Sequence, residues 1–416
     1  MIEPDRPSDE QRQQERSQPQ LGTAQTTGRY LVVFADTDGD PRPLLQSVTG
    51  LTHVASSRDF DDQRVDTSET AEADATIFAE LGIAVVTVDP EQLGALQTAA
   101  EARGAIVATA PELIHHVLTS PVGGGTREPA EPRWRDNDRL TWGLQAVNAA
   151  TSSYSGRGVK VAVLDTGLDA THPDFAGRTI TAQSFVPGET AQDGHGHGTH
   201  CIGTACGPES PTDGRRYGVA YEAEIFAGKV LSDQGSGTDS SILAGINWAV
   251  SHGCAVISMS LGAEATAPHP PYSYAGRRAL VQGTLIIAAA GNNASRPGDP
   301  GFVGAPANSP DIMAVAAVDS QLSIAPFSAR SLPGRGGQVD VAGPGVAVYS
   351  SWLMPAKYQT IDGTSMATPH AAGVAALWAQ ATGRTGLELW ATLAKESQRL
   401  AELSADVGSG MVHVID

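Results

Sequence analysis

Three short stretches of the chain bring an acid, an imidazole and an alcohol to the ends of predicted strands and helices. Gly363-Thr364-Ser365-Met366-Ala367-Thr368-Pro369-His370 is a glycine-led turn running into an apolar, alanine-rich helix (Ala371, Val374, Ala375, Leu377, Trp378). That spacing puts Ser365 at a helix N-terminus, where unpaired N–H groups and the positive dipole end favour developing negative charge. A serine that attacks a carbonyl needs such a setting, because the carbonyl oxygen becomes an oxyanion beside it. Serine before an apolar helical run is also an ordinary N-cap, so its partners elsewhere decide the matter.

Asp165 closes the apolar run Val159–Leu164, and in parallel sheets ligands gather beyond the carboxyl ends of strands. Taken alone it is a turn aspartate. Thirty-two residues further on stands His197, inside His195-Gly196-His197-Gly198-Thr199-His200, which opens a helix. A serine hydroxyl is a poor nucleophile until a base takes its proton, and imidazole titrates near neutrality. A carboxylate behind the ring holds its tautomer and stabilises the imidazolium. These types offer Ser365 as a nucleophile, a histidine of this block as base and then acid, and Asp165 as its orienting carboxylate. Three histidines in six residues also suggest a metal-dependent hydrolase on His195, His197 and His200, although His197 and His200 lack the acidic partner of a zinc-protease motif.

Those residues need a scaffold. Beyond Leu140 the sequence alternates strands (Val159–Leu164, Ile225–Leu231, Cys254–Ser260, Thr284–Ala290, Ile312–Val318) with helices (His197–Cys206, Asp239–His252, Tyr272–Gln282, Ser365–Gln380). The strand runs are almost wholly apolar, as strands covered on both faces must be. An α/β fold with a parallel sheet and helices on both faces is expected. Ahead of it, strands at Tyr30–Phe34, Ile83–Val88 and Ala105–Ala108, a helix at Glu91–Ala102, and a short helix or strand at Thr76–Leu81 predict a small α+β unit. The expected division is a disordered polar arm at 1–27, the α+β unit at 28–118, a Gly- and Pro-rich linker at 119–138, and the α/β unit at 139–416.

Composition narrows the class. With 416 residues, 41% hydrophobic content and 46 glycines, the chain reads as compact and turn-rich. A net charge of −19 argues against nucleic-acid partners, which want a basic stripe. No stretch reaches the roughly 18 apolar residues of a membrane span. Met1 to Gln20 shows no apolar core of a secretory leader, so the compartment stays open between cytosol and export. Three cysteines (Cys201, Cys206, Cys254) are too few for a disulfide framework. Reduced, buried thiols are expected, with pairing of Cys206 and Cys254 left open.

The local phrases go further. Val161-Ala162-Val163-Leu164-Asp165-Thr166-Gly167, His197-Gly198-Thr199-His200 and the block around Ser365 resemble, in that chain order, the signature blocks of the subtilisin-like serine proteases. The resemblance extends through Gly235-Ser236-Gly237, Ser258-Met259-Ser260-Leu261-Gly262 and Ala288-Ala289-Ala290-Gly291-Asn292, and covers nearly all of 140–416. Trp142-Gly143-Leu144 and Cys201 look closest to the proteinase K branch. The resemblance implies that Ser365 is the nucleophile, His197 its base and Asp165 the carboxylate behind the ring, and that Asn292 joins the Ser365 N–H as an oxyanion donor. It also implies that Gly235, Ser236 and Gly237 on one side, and Ser260, Leu261 and Gly262 on the other, pair with an extended substrate. The pocket before the cut would be lined by Ser260, Leu261, Gly262, Ala290, Gly291 and Gly304 and take a large apolar side chain. Asp239 departs from the family, where many relatives place an aromatic residue lining a deeper apolar pocket.

The chemistry implied needs no cofactor, although structural calcium is a family habit. Asp174 and Asp340 match ligand positions, but the loop Gly207–Tyr217 lacks the usual Asn-rich phrase. The unit at 28–118 resembles, by strand–helix layout, the family's ferredoxin-like inhibitory pro-domain. Its tail, Ile106–Leu118, would then lie in the substrate cleft, with the processing bond at Leu118–Thr119 or elsewhere in the linker up to Asp138. The expectation is a serine endopeptidase acting on protein or peptide substrates, made as a zymogen inhibited by its own pro-domain. A dedicated intracellular maturation protease and a non-catalytic binding protein on the same fold are the alternatives.

Overall fold

A computed structural model of the chain describes residues 24–36, 38–63, 65, 70–118 and 133–414. The first unit runs β1 (Thr26–Phe34), α1 (Arg42–Thr49), β2 (Val54–Ser56), β3 (Ala75–Phe78), β4 (Ile83–Val86), α2 (Pro90–Glu101) and β5 (Ile106–Val117). Its strands lie in the order β5-β1-β4-β3-β2. All neighbours are antiparallel except β2 and β3. This is a ferredoxin-like βαββαβ layout with one added edge strand. Period-2 alternation sends Val32, Phe34, Ala84 and Val86 to a core with Leu45 and Leu96 from the helices. Their neighbours Leu31, Val33, Ile83 and Val85 face the other way, into the core of the second unit.

The sequence reading fell short at this unit's edges. β1 starts at Thr26, and Gln25 O accepts from Ile114 N at 2.9 Å, so residues 25–27 join the sheet instead of closing a disordered arm; residues 1–23 lie outside the described part. β5 runs to Val117, far past the expected Ala108, because its polar half finds partners on both sides. Thr76–Leu81 resolves into β3 followed by a turn.

In the second unit the strands are β6 (Lys160–Asp165), β7 (Ile180–Ser184), β8 (Glu224–Lys229), β9 (Ser236–Thr238), β10 (Val256–Met259), β11 (Leu261–Gly262), β12 (Leu285–Ala289), β13 (Met313–Val318), β14 (Val341–Pro344) and a separate pair, β15 (Val348–Ser351) and β16 (Tyr358–Ile361). Seven form one sheet in the order β14-β13-β12-β10-β6-β8-β7, parallel at every step. The helices are α3 (Trp142–Ala146), α4 (His197–Cys206), α5 (Asp239–Ser251), α6 (Pro270–Val281), α7 (Thr364–Thr382), α8 (Gly386–Glu396) and the short α9 (Ser404–Val407). Side chains of α5 and α6 share a core with Ala162, Leu164, Ile257 and Ile286. Those of α4, α7 and α8 pack with Val161, Val163, Leu285 and Ile287 on the opposite face. The expected two-faced α/β architecture is what the apolar strands build.

Residues 119–132 of the expected linker lie outside the described part. Its remaining residues pack on the second unit: Trp134 N donates to Ser320 O at 3.0 Å, and Asp136 accepts from Trp142 N at 2.7 Å. The two units also clasp each other through main chain. From α6, Arg278 donates to Phe34 O, Leu81 O and Gly82 O, and from α5, Asn247 Oδ1 accepts from Glu80 N at 2.9 Å. Among the described residues, no helix is long and apolar enough to cross a membrane.

Candidate active site

β6 delivers Asp165 to the carboxyl edge of the sheet, and α4 opens with His197 facing it. His197 Nδ1 donates to Asp165 Oδ1 at 2.7 Å, and Thr166 N donates to the same oxygen at 2.7 Å. Both side chains are fully buried. Burial would favour the neutral ring, but the charge and hydrogen bond of Asp165, helped by the Cys201 sulfur, carry His197 well above the ordinary imidazole range.

Asp193, missed in the sequence, holds the start of α4. Its carboxylate accepts from His195 N, Gly196 N and Thr199 N, each at 2.9 Å, and from the Thr166 and Thr199 hydroxyls. An aspartate just ahead of a helical run is a capping signal that could have revealed it. Gly198 is needed for close approach, since a Cβ there would stand 2.3 Å from Gly167 O.

Ser365 follows directly on the first residue of α7. Its hydroxyl donates to Ser260 O at 3.1 Å, while Ser260 Oγ donates back to Ser365 O at 2.8 Å. Cys201 Sγ bridges the two halves, 3.6 Å from Ser365 O and 3.8 Å from His197 Nδ1. His197 Nε2 is buried without a hydrogen-bond partner. The serine hydroxyl therefore rests on a neighbouring carbonyl.

Asn292 is fixed by its neighbour. Its Oδ1 accepts from Thr364 N at 3.0 Å and Thr364 Oγ1 at 2.8 Å, which turns its NH₂ outward. That group donates to Leu118 O, at the end of the first unit's last strand, at 2.7 Å. Gly363 permits this approach, because a Cβ there would lie 2.7 Å from Leu118 O.

The segment leading to Leu118 is held on both sides. Ile114, His115 and His116 pair antiparallel with Thr238, Gly237 and Ser236, and His116 and Val117 pair with Gly262 and Leu261. Val117 N donates to Gly235 O at 3.0 Å. The Leu118 side chain comes within 3.1 Å of where a Gly262 Cβ would stand. Ala290 and Gly291 end the run after β12, with Gly291 N donating to Thr364 Oγ1 at 3.3 Å. Gly304, expected as a pocket wall, is explained by a main-chain crossing: a Cβ there would lie 2.6 Å from Ala263 O.

Asp239, the first residue of α5, faces the same segment further back, at Leu113 and His115. Its oxygens accept from His115 Nε2 (2.7 Å), Tyr272 OH (2.7 Å), Leu113 N (2.6 Å) and His269 Nε2 (3.1 Å). Burial alone would raise its carboxyl, but the bonds from His115 and His269 outweigh this and hold it well below the usual range.

The remaining candidates do not make metal sites. Asp174 accepts from Thr212 N (2.6 Å), Tyr217 OH (2.7 Å) and Tyr358 OH (3.0 Å). These are donors, whereas a hard cation needs six or more acceptor oxygens, so the residues do not fit calcium. Asp340 accepts from Ala314 N at 2.7 Å, and burial pushes its carboxyl up to about 7; one carboxylate disfavoured in its charged form does not fit either. His200 Nε2 is engaged on Val348 O at 3.0 Å, and burial, with His197 nearby, lowers its ring to about 3. His195, His197 and His200 therefore do not converge as a ligand set. Among the described residues the one tight His/Cys/Asp/Glu group is Asp165, His197 and Cys201, joined by the hydrogen bonds above. The three cysteines are free and buried.

An imidazole backed by a buried carboxylate, beside a serine opening a helix at the edge of a parallel sheet, is the equipment of a serine hydrolase. Comparison with known proteins makes this specific. Residues 156–410 match the Subtilase family, more than half of the chain, and the chain belongs to that family. It is 40% identical over 235 residues to "Subtilisin DY" of Bacillus licheniformis, covering 56% of this chain and 81% of that one. With "Subtilisin Savinase" of Lederbergia lenta the identity is 42% over 242 residues, 57% and 83% of the two chains. With "Subtilisin E" of Bacillus subtilis it is 41% over 269 residues, 61% and 66%. The protein is a serine endopeptidase.

Proposed function

We propose that this endopeptidase is made as a self-inhibited zymogen whose first unit occupies its own substrate cleft and is released by a cut after Leu118. In this reading Ser365 attacks the scissile carbonyl while His197 Nε2 takes its proton. Asp165 holds the ring and steadies the imidazolium, and Asn292 donates to the oxyanion. His197 then protonates the leaving amine, and water hydrolyses the acyl-enzyme by the same route in reverse. No cofactor takes part. Gly235–Gly237 and Ser260–Gly262 supply main-chain pairing to any extended peptide, and Gly262 leaves room for a large apolar side chain before the cut. Cys201 beside His197 supports the proteinase K branch.

The observation that carries this is the Leu118 carbonyl at 2.7 Å from the Asn292 amide, at the end of a strand paired on both sides. In this reading the bond following it is the one presented to Ser365. Mass spectrometry of the purified full chain tests the reading. The wild type should yield a fragment beginning at Thr119, and Ser365→Ala should stay intact and fail to react with a fluorophosphonate. An intact, fully active wild type would overturn the zymogen reading. Labelling that survives the substitution would overturn the assignment of Ser365.

A further inference from the structure

Asp239 is a carboxylate sealed inside a peptide-binding groove, and a group of that kind demands donors. Both it and His115 are fully buried. His115 is the fourth residue counting back from Leu118, and its ring enters a pocket walled by Tyr272, which it meets edge to face at 5.5 Å between centroids. Two of the four donors to Asp239, His269 and Tyr272, belong to the second unit and stay when the segment leaves. The other two, His115 Nε2 and Leu113 N, arrive with the segment.

From this we infer that Asp239, flanked by His269 and Tyr272, is a specificity-determining subsite that selects histidine at the fourth position before the cut. It rests on reading 106–118 as an occupant of the substrate cleft. An extended peptide always supplies a main-chain N–H where Leu113 does. Only a side chain with a donor at imidazole reach replaces the His115 bond to Oδ1. An apolar side chain there leaves a buried carboxylate short of a partner, and a charge-assisted bond lost in such a site lowers rates about 10- to 100-fold.

The test uses full chain that has been allowed to mature, with two internally quenched peptides ending in leucine before the cut. They are identical except for histidine or leucine at the fourth position. The histidine peptide should be cleaved with a kcat/KM about 10- to 100-fold higher, and Asp239→Leu should reverse the preference. Equal kcat/KM on the wild type, with both peptides cut after leucine, would overturn the inference and leave the cleft assignment standing. Failure to cut either peptide after leucine would overturn the cleft assignment and the inference with it. The comparison on the wild type needs no variant to fold.

Discussion

Two aspartate–histidine pairs lie along the same groove, each 2.7 Å long and each shut off from solvent. They differ in how well the carboxylate is fed. Asp165 receives two hydrogen bonds on one oxygen, and its Oδ2 has no partner. Asp239 receives four, shared over both oxygens. An under-supplied buried carboxylate keeps its field for the neighbouring ring, which suits a base that must become a cation. A saturated one has its charge spread over fixed donors and serves as an anchor. The ownership of the rings differs too, since His197 belongs to the same unit as its aspartate and His115 is lent by the other unit.

Breaking each pair separately should expose this contrast. Asp165→Asn should cost on the order of 10⁴ in kcat, measured on a peptide substrate, by presenting the wrong tautomer to Ser365. Asn292→Ala removes a donor that touches neither pair and should cost about 10² to 10³ in kcat with little change in KM. His115→Leu, made with Ser365→Ala so the chain stays whole, should loosen the segment. Hydrogen exchange of the β5 amides should speed up about 10- to 100-fold, and unchanged exchange would deny Asp239 its anchoring part.

The smallest effect is in the pH profile. The base must be neutral to act, so kcat/KM is low below the His197 pKa and climbs as pH rises through it. Because Asp165 outweighs burial, that climb should lie above the ordinary imidazole range near 6.5, and Asp165→Asn should move its midpoint downward. A profile flat from pH 5 to 8 would contradict the assignment of the base.

The Asp165–His197 half of this contrast was legible in the sequence, and the Asp239–His115 half was not. Asp165, His197 and Ser365 each stand where an apolar run ends or a helix begins, so local pattern marks them. Asp239 was visible only as a departure. Its partner His115 is 124 residues away and reaches it only when the two units dock. For the same reason β5 was cut short: Pro111 and Glu112 spoil its alternation, and the compensating partners come from elsewhere in the chain. Glu112, fully buried, is satisfied by Arg29 and Ser240. β7 was missed because it is a half-exposed edge strand of Thr, Gln and Ser, and β14 because Gly343 and Pro344 disguise a strand at the opposite edge, where proline is tolerated.

The grip of Arg278 on Phe34 O, Leu81 O and Gly82 O has a consequence for how the first unit can change over time. A guanidinium that grasps carbonyl oxygens is blind to the side chains those residues carry. Substitutions can therefore accumulate across the first unit without loosening this hold, so long as the two chain turns keep their path. A foreign unit of the same layout, grafted in its place, would offer Arg278 the same three handles.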